Sequence, residues 1–274
     1  MSTTRRPTFS DVDRETRRRA DAFASTYAQC SQALESAFEQ FVTAIQTPIN
    51  ATDRVQIASI AYASRILEVA HGALDAVRSG NVISAQILAR SALEALFALC
   101  GLADPQNFAG GADFFSRLLY KSKHARMQAL KRFLKESNTL SVEQRAQGDA
   151  KVALLAQELA NLHQAPLTQV RDVAVAASML DIYVRDYAMH SNPTHANIED
   201  VLKEHASLED GKLGLKRYVG SDSAVRETSA HLLLVLMEGT LALEHLCAAS
   251  PTAEQIEVRE RLSRFYVTTL TDLS

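Results

Sequence analysis

The sequence predicts an all-α protein, an antiparallel helical bundle of about nine helices with some helices at its periphery. Three observations carry this. Gly and Pro number only 10 and 6 in 274 residues, too few to punctuate a β architecture that turns every few residues. Apolar residues recur at steps of three and four along most of the chain rather than alternating. Ser, Thr, Asp and Asn precede several of these stretches, and Gly or Pro follows them, as helix starts and stops require.

Residues 1–9 carry no such periodicity and are expected to be disordered; residues 10–274 are expected to form one helical domain. Ser10 with Asp13 suggests a capping box opening the first helix. Phe23, Tyr27, Cys30, Leu34, Phe38, Phe41 and Ile45 then form a heptad-like seam that ends before Pro48. Such a seam packs either into its own bundle or against a partner chain. A second helix begins near Thr52, with Ile60, Leu67, Ala70, Leu74 and Val77 on one face. Ser79-Gly80 stops it, and a third helix starts almost at once and runs to Cys100. So short a connection makes an αα-hairpin. Its register brings Arg90 level with residues near 70, so Arg90 is expected to meet Glu68 or His71 across the hairpin.

Gly110-Gly111 precedes a fourth helix to about Glu136, whose apolar positions Phe115, Leu118, Leu119, Leu130, Phe133 and Leu134 mark its inner face. Ser141 with Gln144 caps a fifth, ending before Pro166. A sixth is expected from about Thr168 to His190, stopped by Ser191-Asn192-Pro193, because the residue before proline is pushed out of the α region. A short seventh is expected near 198–206 and an irregular connection over 207–221. An eighth spans about 222–248, and Ser250-Pro251 suggests the start of a ninth.

The formal net charge of −3 does not mark the chain as a nucleic-acid binder, so any such role needs a local patch. Two basic runs exist. One is the cluster Arg5, Arg6, Arg14, Arg17, Arg18 and Arg19; the other is the fourth helix, with Lys121, Lys123, Arg126, Lys131 and Arg132. The arginines at the start are followed by no apolar run, which argues against a signal peptide. The apolar stretches 82–100 and 231–249 are interrupted by Arg90 and Glu94, and by Glu238 and Glu244, which argues against a membrane span. Cytoplasmic residence is therefore expected. Cys30, Cys100 and Cys247 are few, widely spaced and set in apolar helices, as expected of buried reduced thiols.

Two polar intrusions interrupt the apolar pattern. Arg90 and Glu94 stand one turn apart inside the most apolar helix, and buried charges demand partners. The second is the end of the sixth helix, with Arg185, Asp186, Tyr187 and His190, followed by His195 in a loop held by Pro193. Glu68-Val-Ala-His71 is a Glu-x-x-His pair of the type found in di-iron bundles, but the chain has no second copy to complete such a site. No metal ligand set, cofactor or phosphate-binding glycine loop is expected.

The pattern Arg185-Asp186-x-x-x-His190 resembles the motif of the HEPN superfamily, in which histidine follows arginine by four to six positions with polar residues between. The helical bundle is similar too, and Arg90, Glu94 and Tyr183 resemble an uncharacterised bacterial helical family related to that group. Arg65…His71, Arg117…His124 and Arg226…His231 have comparable spacing. Asp186, the helix-end position and the apolar approach from Val170 to Val184 single out 185–190. The family's glutamate-plus-basic signature is incomplete here, since Ala98 stands four positions after Glu94. The resemblance implies a homodimeric, metal-independent endoribonuclease of the toxin or phage-defence kind, with the motifs of two chains facing a shared cleft. Arg185 would hold the scissile phosphate of RNA, His190 would move the proton and Asp186 would orient one of them. Lys121, Lys123, Arg126, Lys131 and Arg132 would track the RNA backbone. The residues themselves also allow a non-catalytic helical interaction or dimerisation module built on the seam of the first helix.

Overall fold

The computed structural model describes residues 9–48, 50, 52–104, 112–162, 167, 169–187, 206–209, 212–215 and 222–271. The fold is all-α, a helical bundle. Nine helices lie among the described residues: α1 (Phe9–Ile45), α2 (Arg54–Arg78), α3 (Val82–Ala103), α4 (Ala112–Glu136), α5 (Val142–Ala160), α6 (Val170–Ala176), α7 (Leu180–Ile182), α8 (Asp222–Leu246) and α9 (Ala253–Thr271). Helix α1 begins at Phe9, so Ser10 lies inside it rather than capping it.

The hairpin of α2 and α3 forms as the sequence expects. The side chain of Asp53 caps α2 by accepting from the backbone N–H groups of Val55 and Gln56. Gly80 takes φ 74°, the left-handed conformation that glycine adopts without steric cost, and Asn81 caps α3 one residue later. The two helices pack along their length, α8 covers the other side of α3, and α1 packs on α8 and α2 to complete a four-helix core. Ala89, Ala92, Leu93, Leu96, Phe97 and Leu99 of α3 are fully buried, together with Phe41 of α1, Ile66 of α2, and Leu232, Leu233 and Leu236 of α8. Each of the leucine, isoleucine and phenylalanine side chains among them contributes about 1.5–3 kcal/mol on leaving water. Helix α3 is long and apolar enough to cross a membrane, but most of that stretch is covered by neighbouring helices.

Small residues let the layers close. A Cβ on Gly239 of α8 would lie 2.7 Å from the Phe41 ring, and one on Gly101 of α3 would collide with Phe114 of α4. Phe114, fully buried, and not Phe115 is thus the anchor of α4, with Met127 and Leu134 buried further along; Phe133 is exposed. Helices α4 and α5 form a second hairpin at the periphery. Arg145 of α5 donates to the carbonyls of Leu134 and Ser137 at 2.8 and 3.0 Å, satisfying the open end of α4. Helix α5 carries the expected Ser141–Gln144 capping box.

Three expectations need correction. The helix expected over 168–190 is broken: α6 ends at Ala176, Ser178 takes φ 57°, and the chain restarts at Leu180 before widening into a π-helical turn over Tyr183–Tyr187. No Gly or Pro marks the break, which is closed by backbone bonds from Ser178 N–H to Val175 and from Met179 N–H to Ala174, with Ala177 and Met179 buried on either side. Within the connection expected to be irregular over 207–221, the described residues form two antiparallel strands, β1 (Ala206–Glu209) and β2 (Lys212–Leu215), with Ala206 opposite Leu215. Helix α9 is opened by Thr252, which exchanges bonds with Gln255 as a capping box, and not by Ser250-Pro251. The short helix expected near 198–206 falls largely outside the described residues, and its final position, 206, belongs to β1.

The seam of α1 is used mainly within the chain. Cys30, Leu34 and Phe41 are buried against the core, whereas Tyr27, Phe38 and Ile45 are half-buried. Cys30, Cys100 and Cys247 are all free thiols, and burial pushes each of them up from the ordinary thiol value.

Candidate functional site

Among the described residues, a buried carboxylate and a buried imidazole meet at the π turn. A π turn carries more residues per turn than an α-helix, so consecutive side chains fan out differently, and such turns are frequent at functional sites. Here Asp186 and Tyr187, adjacent in sequence, are both buried, while Arg185 and Val184 face outward. The two buried neighbours reach different helices.

Asp186 turns towards α8. Its Oδ1 lies 2.9 Å from Nε2 of His231, and the two side chains are 1% and 3% exposed. On its other side the carboxylate accepts from Arg185, from Nε at 3.1 Å and from Nη2 at 2.8 Å. Burial pushes the carboxyl up, but the hydrogen bonds and charges of His231 and Arg185 outweigh it, holding Asp186 below the ordinary carboxylate value. Arg185 Nη2 also donates to the hydroxyl of Tyr266 on α9 at 2.9 Å. The bond from Asp186 raises the affinity of the guanidinium for its proton, opposed by partial burial. The Arg185 side chain is half exposed, and its Nη1 makes no hydrogen bond among the described residues. Asp186, not Asp181, is its ion-pair partner.

Tyr187 turns the opposite way, towards α3. Its hydroxyl donates to Oε1 of Glu94 at 2.7 Å and accepts from Nη2 of Arg90 at 2.7 Å. The Arg90 guanidinium also lies over the Tyr187 ring, 4.5 Å from its centroid. Burial and the bond to Glu94 push the phenol up to about 12, against the pull of Arg90. Tyr183 stacks on Tyr187 at 5.1 Å, and both pack on Phe97. One short turn therefore ties α3, α8 and α9 together.

The expected supporting cluster splits. Arg90, Glu94 and Tyr187 come together, but Glu68 and His71 do not join them. Both stand on the exposed side of α2, where Glu68 pairs with Arg65 at 3.0 Å and His71 faces Asp75 at 3.6 Å. Arg90 thus meets its i, i+4 glutamate, at 3.8 Å, and the tyrosine in place of the facing helix. His190 and His195 lie outside the described residues. On α4, Arg126, Lys131 and Arg132 are exposed. Lys123 instead ion-pairs with Glu158 of α5, and Lys121 is half-buried beside a cavity. Burial lowers the Lys121 ammonium, opposed by the charges of Glu94 and Asp172.

Sequence reading missed His231 and Tyr266 as members of this site. His231 is visible only as the end of the rival Arg226…His231 spacing, and Arg226 reaches Gln29 instead, at 2.7 Å. Tyr266 carries no local signal, since its partner is 81 residues away in sequence.

Chemically, the arrangement is a half-exposed guanidinium held in a fixed orientation by a buried carboxylate and a phenol. A guanidinium so presented suits an oxyanion, with the entropy of ordering the side chain already met. No group of three or more His, Cys, Asp and Glu side chains suited to a metal ion occurs among the described residues.

No curated protein and no solved structure matches the chain. A family match covers residues 56–213, taking in Arg90, Glu94 and the whole π turn but not His231 or Tyr266. That segment is more than half of the 274 residues, and the chain belongs to the Family of unknown function (DUF5677).

Proposed function

We propose that this protein is a HEPN-like, metal-independent endoribonuclease in which Arg185 binds the scissile phosphate. The observation that carries the reading is the presentation of Arg185. Asp186 and Tyr266 fix its Nε and Nη2 edge, and Nη1 is left for a phosphate oxygen. Donors fixed in advance stabilise charge that develops in the transition state without reorganising at that moment. Asp186 fills the orienting role that the motif assigns to it. His190 is the proton-transfer group of the motif, and the exposed Arg126, Lys131 and Arg132 of α4 supply the sequence-independent attraction for RNA. The same reading takes the protein as a cytoplasmic homodimer whose two motifs share a cleft.

Incubation of labelled RNA with the purified protein in a chelating buffer tests this. The wild type is expected to cut, and an Arg185→Ala, His190→Ala double variant to lose the activity. Intact RNA with the wild type, or equal cutting by the variant, removes the proposal.

A second reading, a non-catalytic helical interaction module, draws on a different observation. Between α1 and α2 runs a groove of about 680 Å³, lined by apolar side chains including Leu34, Phe38, Leu67 and Leu74 and edged by Glu35, Glu39 and Glu68. This reading expects a stable oligomer or partner complex without turnover. A monodisperse monomer in light scattering that nevertheless cleaves RNA excludes it.

A further inference from the structure

A cavity of about 320 Å³ opens beside Glu94, walled by α2, α3, α4 and α6. That volume falls within the range of small-ligand pockets, and the cavity shares a wall with the candidate site. Glu94 lines it while its Oε1 accepts from Tyr187, the residue next to Asp186, so one carboxylate belongs to both places. Lys121 of α4 lines it as well.

The polar inventory of the cavity is specific. Glu94 is acceptor-only when ionised, and its Oε2 has no hydrogen-bond partner among the described residues. Lys121 is donor-only, and its Nζ makes neither a hydrogen bond nor an ion pair among the described residues. The two feel each other's charge without closing on one another. An acceptor and a donor that line one cavity without an ion pair between them call for a ligand that offers donors to the one and an acceptor to the other. The half-buried Tyr62 lines it as well, and burial raises its phenol above the ordinary value. Apart from Ser122, the rest of the wall is apolar, with Ala98, Val170 and Val173 among its members, and suits the faces of a flat ring system.

We propose that this cavity is a nucleobase pocket that takes guanine, with Glu94 accepting from its N1–H and amino group and Lys121 donating to its O6. Adenine lacks the carbonyl that Lys121 needs, and uracil lacks the amino group that Glu94 needs. An ammonium is a well-matched donor to guanine O6, and each such polar match discriminates between bases by roughly tenfold or more. The inference rests on the ribonuclease reading for its biological sense, since Glu94 of the cavity bonds Tyr187, two residues from Arg185, but the binding it states is independent of cleavage.

Calorimetric titration of the full chain with guanosine and with adenosine, neither of which carries a phosphate, tests it. Saturable guanosine binding is expected, with adenosine weaker by about tenfold or more. Lys121→Met is expected to weaken guanosine by a similar factor, and Ala125→Phe, which fills the cavity from the exposed face of α4, to abolish it. Both variants are expected to keep the wild-type melting temperature, since neither side chain belongs to the buried core. Absence of guanosine binding overturns the proposal, as do equal affinities for the two nucleosides or indifference to both substitutions. Capture of a free apolar amino acid in place of guanosine, with its carboxylate on Lys121 and its ammonium on Glu94, overturns it too. A chain that binds guanosine but leaves RNA intact sinks the ribonuclease reading and keeps the pocket. A chain that cuts RNA without binding guanosine does the reverse.

Discussion

His231 Nε2 meets Asp186 Oδ1 at 2.9 Å where both side chains are almost wholly buried, joining the π turn to the core helix α8. Because the same carboxylate holds Arg185, the orientation of a half-exposed arginine depends on a buried contact with α8. Removing the carboxylate takes the Nε2 partner from the buried imidazole and leaves the guanidinium with Tyr266 alone among the described residues. Asp186→Ala is expected to cost about 3–5 kcal/mol in urea unfolding, the usual penalty for breaking a buried pair from one side. A cost under about 1 kcal/mol would mean that the pair carries no structural role.

The same carboxylate sets a pH dependence. Its folded-state pKa lies below the ordinary value of 3.8, so its pairing adds stability that is fully present above that value. The contribution is lost as pH falls through the lower, folded value. The stability gap between wild type and Asp186→Asn is therefore expected to be constant from neutral pH down to about 5 and to shrink below about 4. Chemical denaturation of both proteins across that range checks the sign; a gap that widened in acid would contradict it.

Tyr187→Phe removes one oxygen from between Arg90 and Glu94 and keeps the ring against Phe97. Loss of two charge-assisted hydrogen bonds, with the two ions free to approach each other, is expected to cost about 1–2 kcal/mol. Thermal unfolding measures this. An unchanged melting temperature would show that the Arg90–Glu94 contact suffices by itself.

How much of this was legible in the sequence depends on how local each cause is. The turn at Gly80 and the Arg90–Glu94 pair are readable because the residues that make them are neighbours along the chain. The break at Ser178 is not, because a serine stands at φ 57° where sequence reading looks for glycine, and the burial of Ala177 and Met179 beside it is a tertiary fact. Expecting one unbroken helix over 168–190 hid the π turn, and with it the opposite directions of Asp186 and Tyr187. His231 and Tyr266 escaped for the same reason: each meets the site from a helix 45 or more residues further on. Motif spacing found Arg185 and Asp186, and tertiary structure supplied what holds them.

The α3–α4 contact gives a prediction about packing alone. A Cβ on Gly101 would run into the Phe114 ring, which is fully buried. Gly101→Ala gains helix propensity but forces that ring to move, and is expected to destabilise by about 1–3 kcal/mol. A stabilised variant in denaturant titration would show that α4 shifts freely against α3.

Tyr266→Phe separates positioning from folding. It removes the hydroxyl that accepts from Arg185 Nη2 and leaves the bond to Asp186 in place. RNA cleavage is expected to fall about tenfold while the unfolding midpoint stays within experimental error of wild type, since one partly exposed hydrogen bond orients the guanidinium without supporting the core. Unchanged cleavage would mean that Asp186 orients Arg185 unaided.

The role of Arg185 at an RNA phosphodiester is tested most directly by comparing two oligonucleotides of one sequence in a chelating buffer, one all-ribo and one with 2′-deoxy sugars throughout. Cleavage that uses the 2′-hydroxyl of the RNA predicts cutting of the ribo strand to products ending in a 2′,3′-cyclic phosphate, no cutting of the deoxy strand, and loss of the ribo reaction in Arg185→Ala. Cleavage of both strands alike, of neither, or of the ribo strand by Arg185→Ala at the wild-type rate would contradict it.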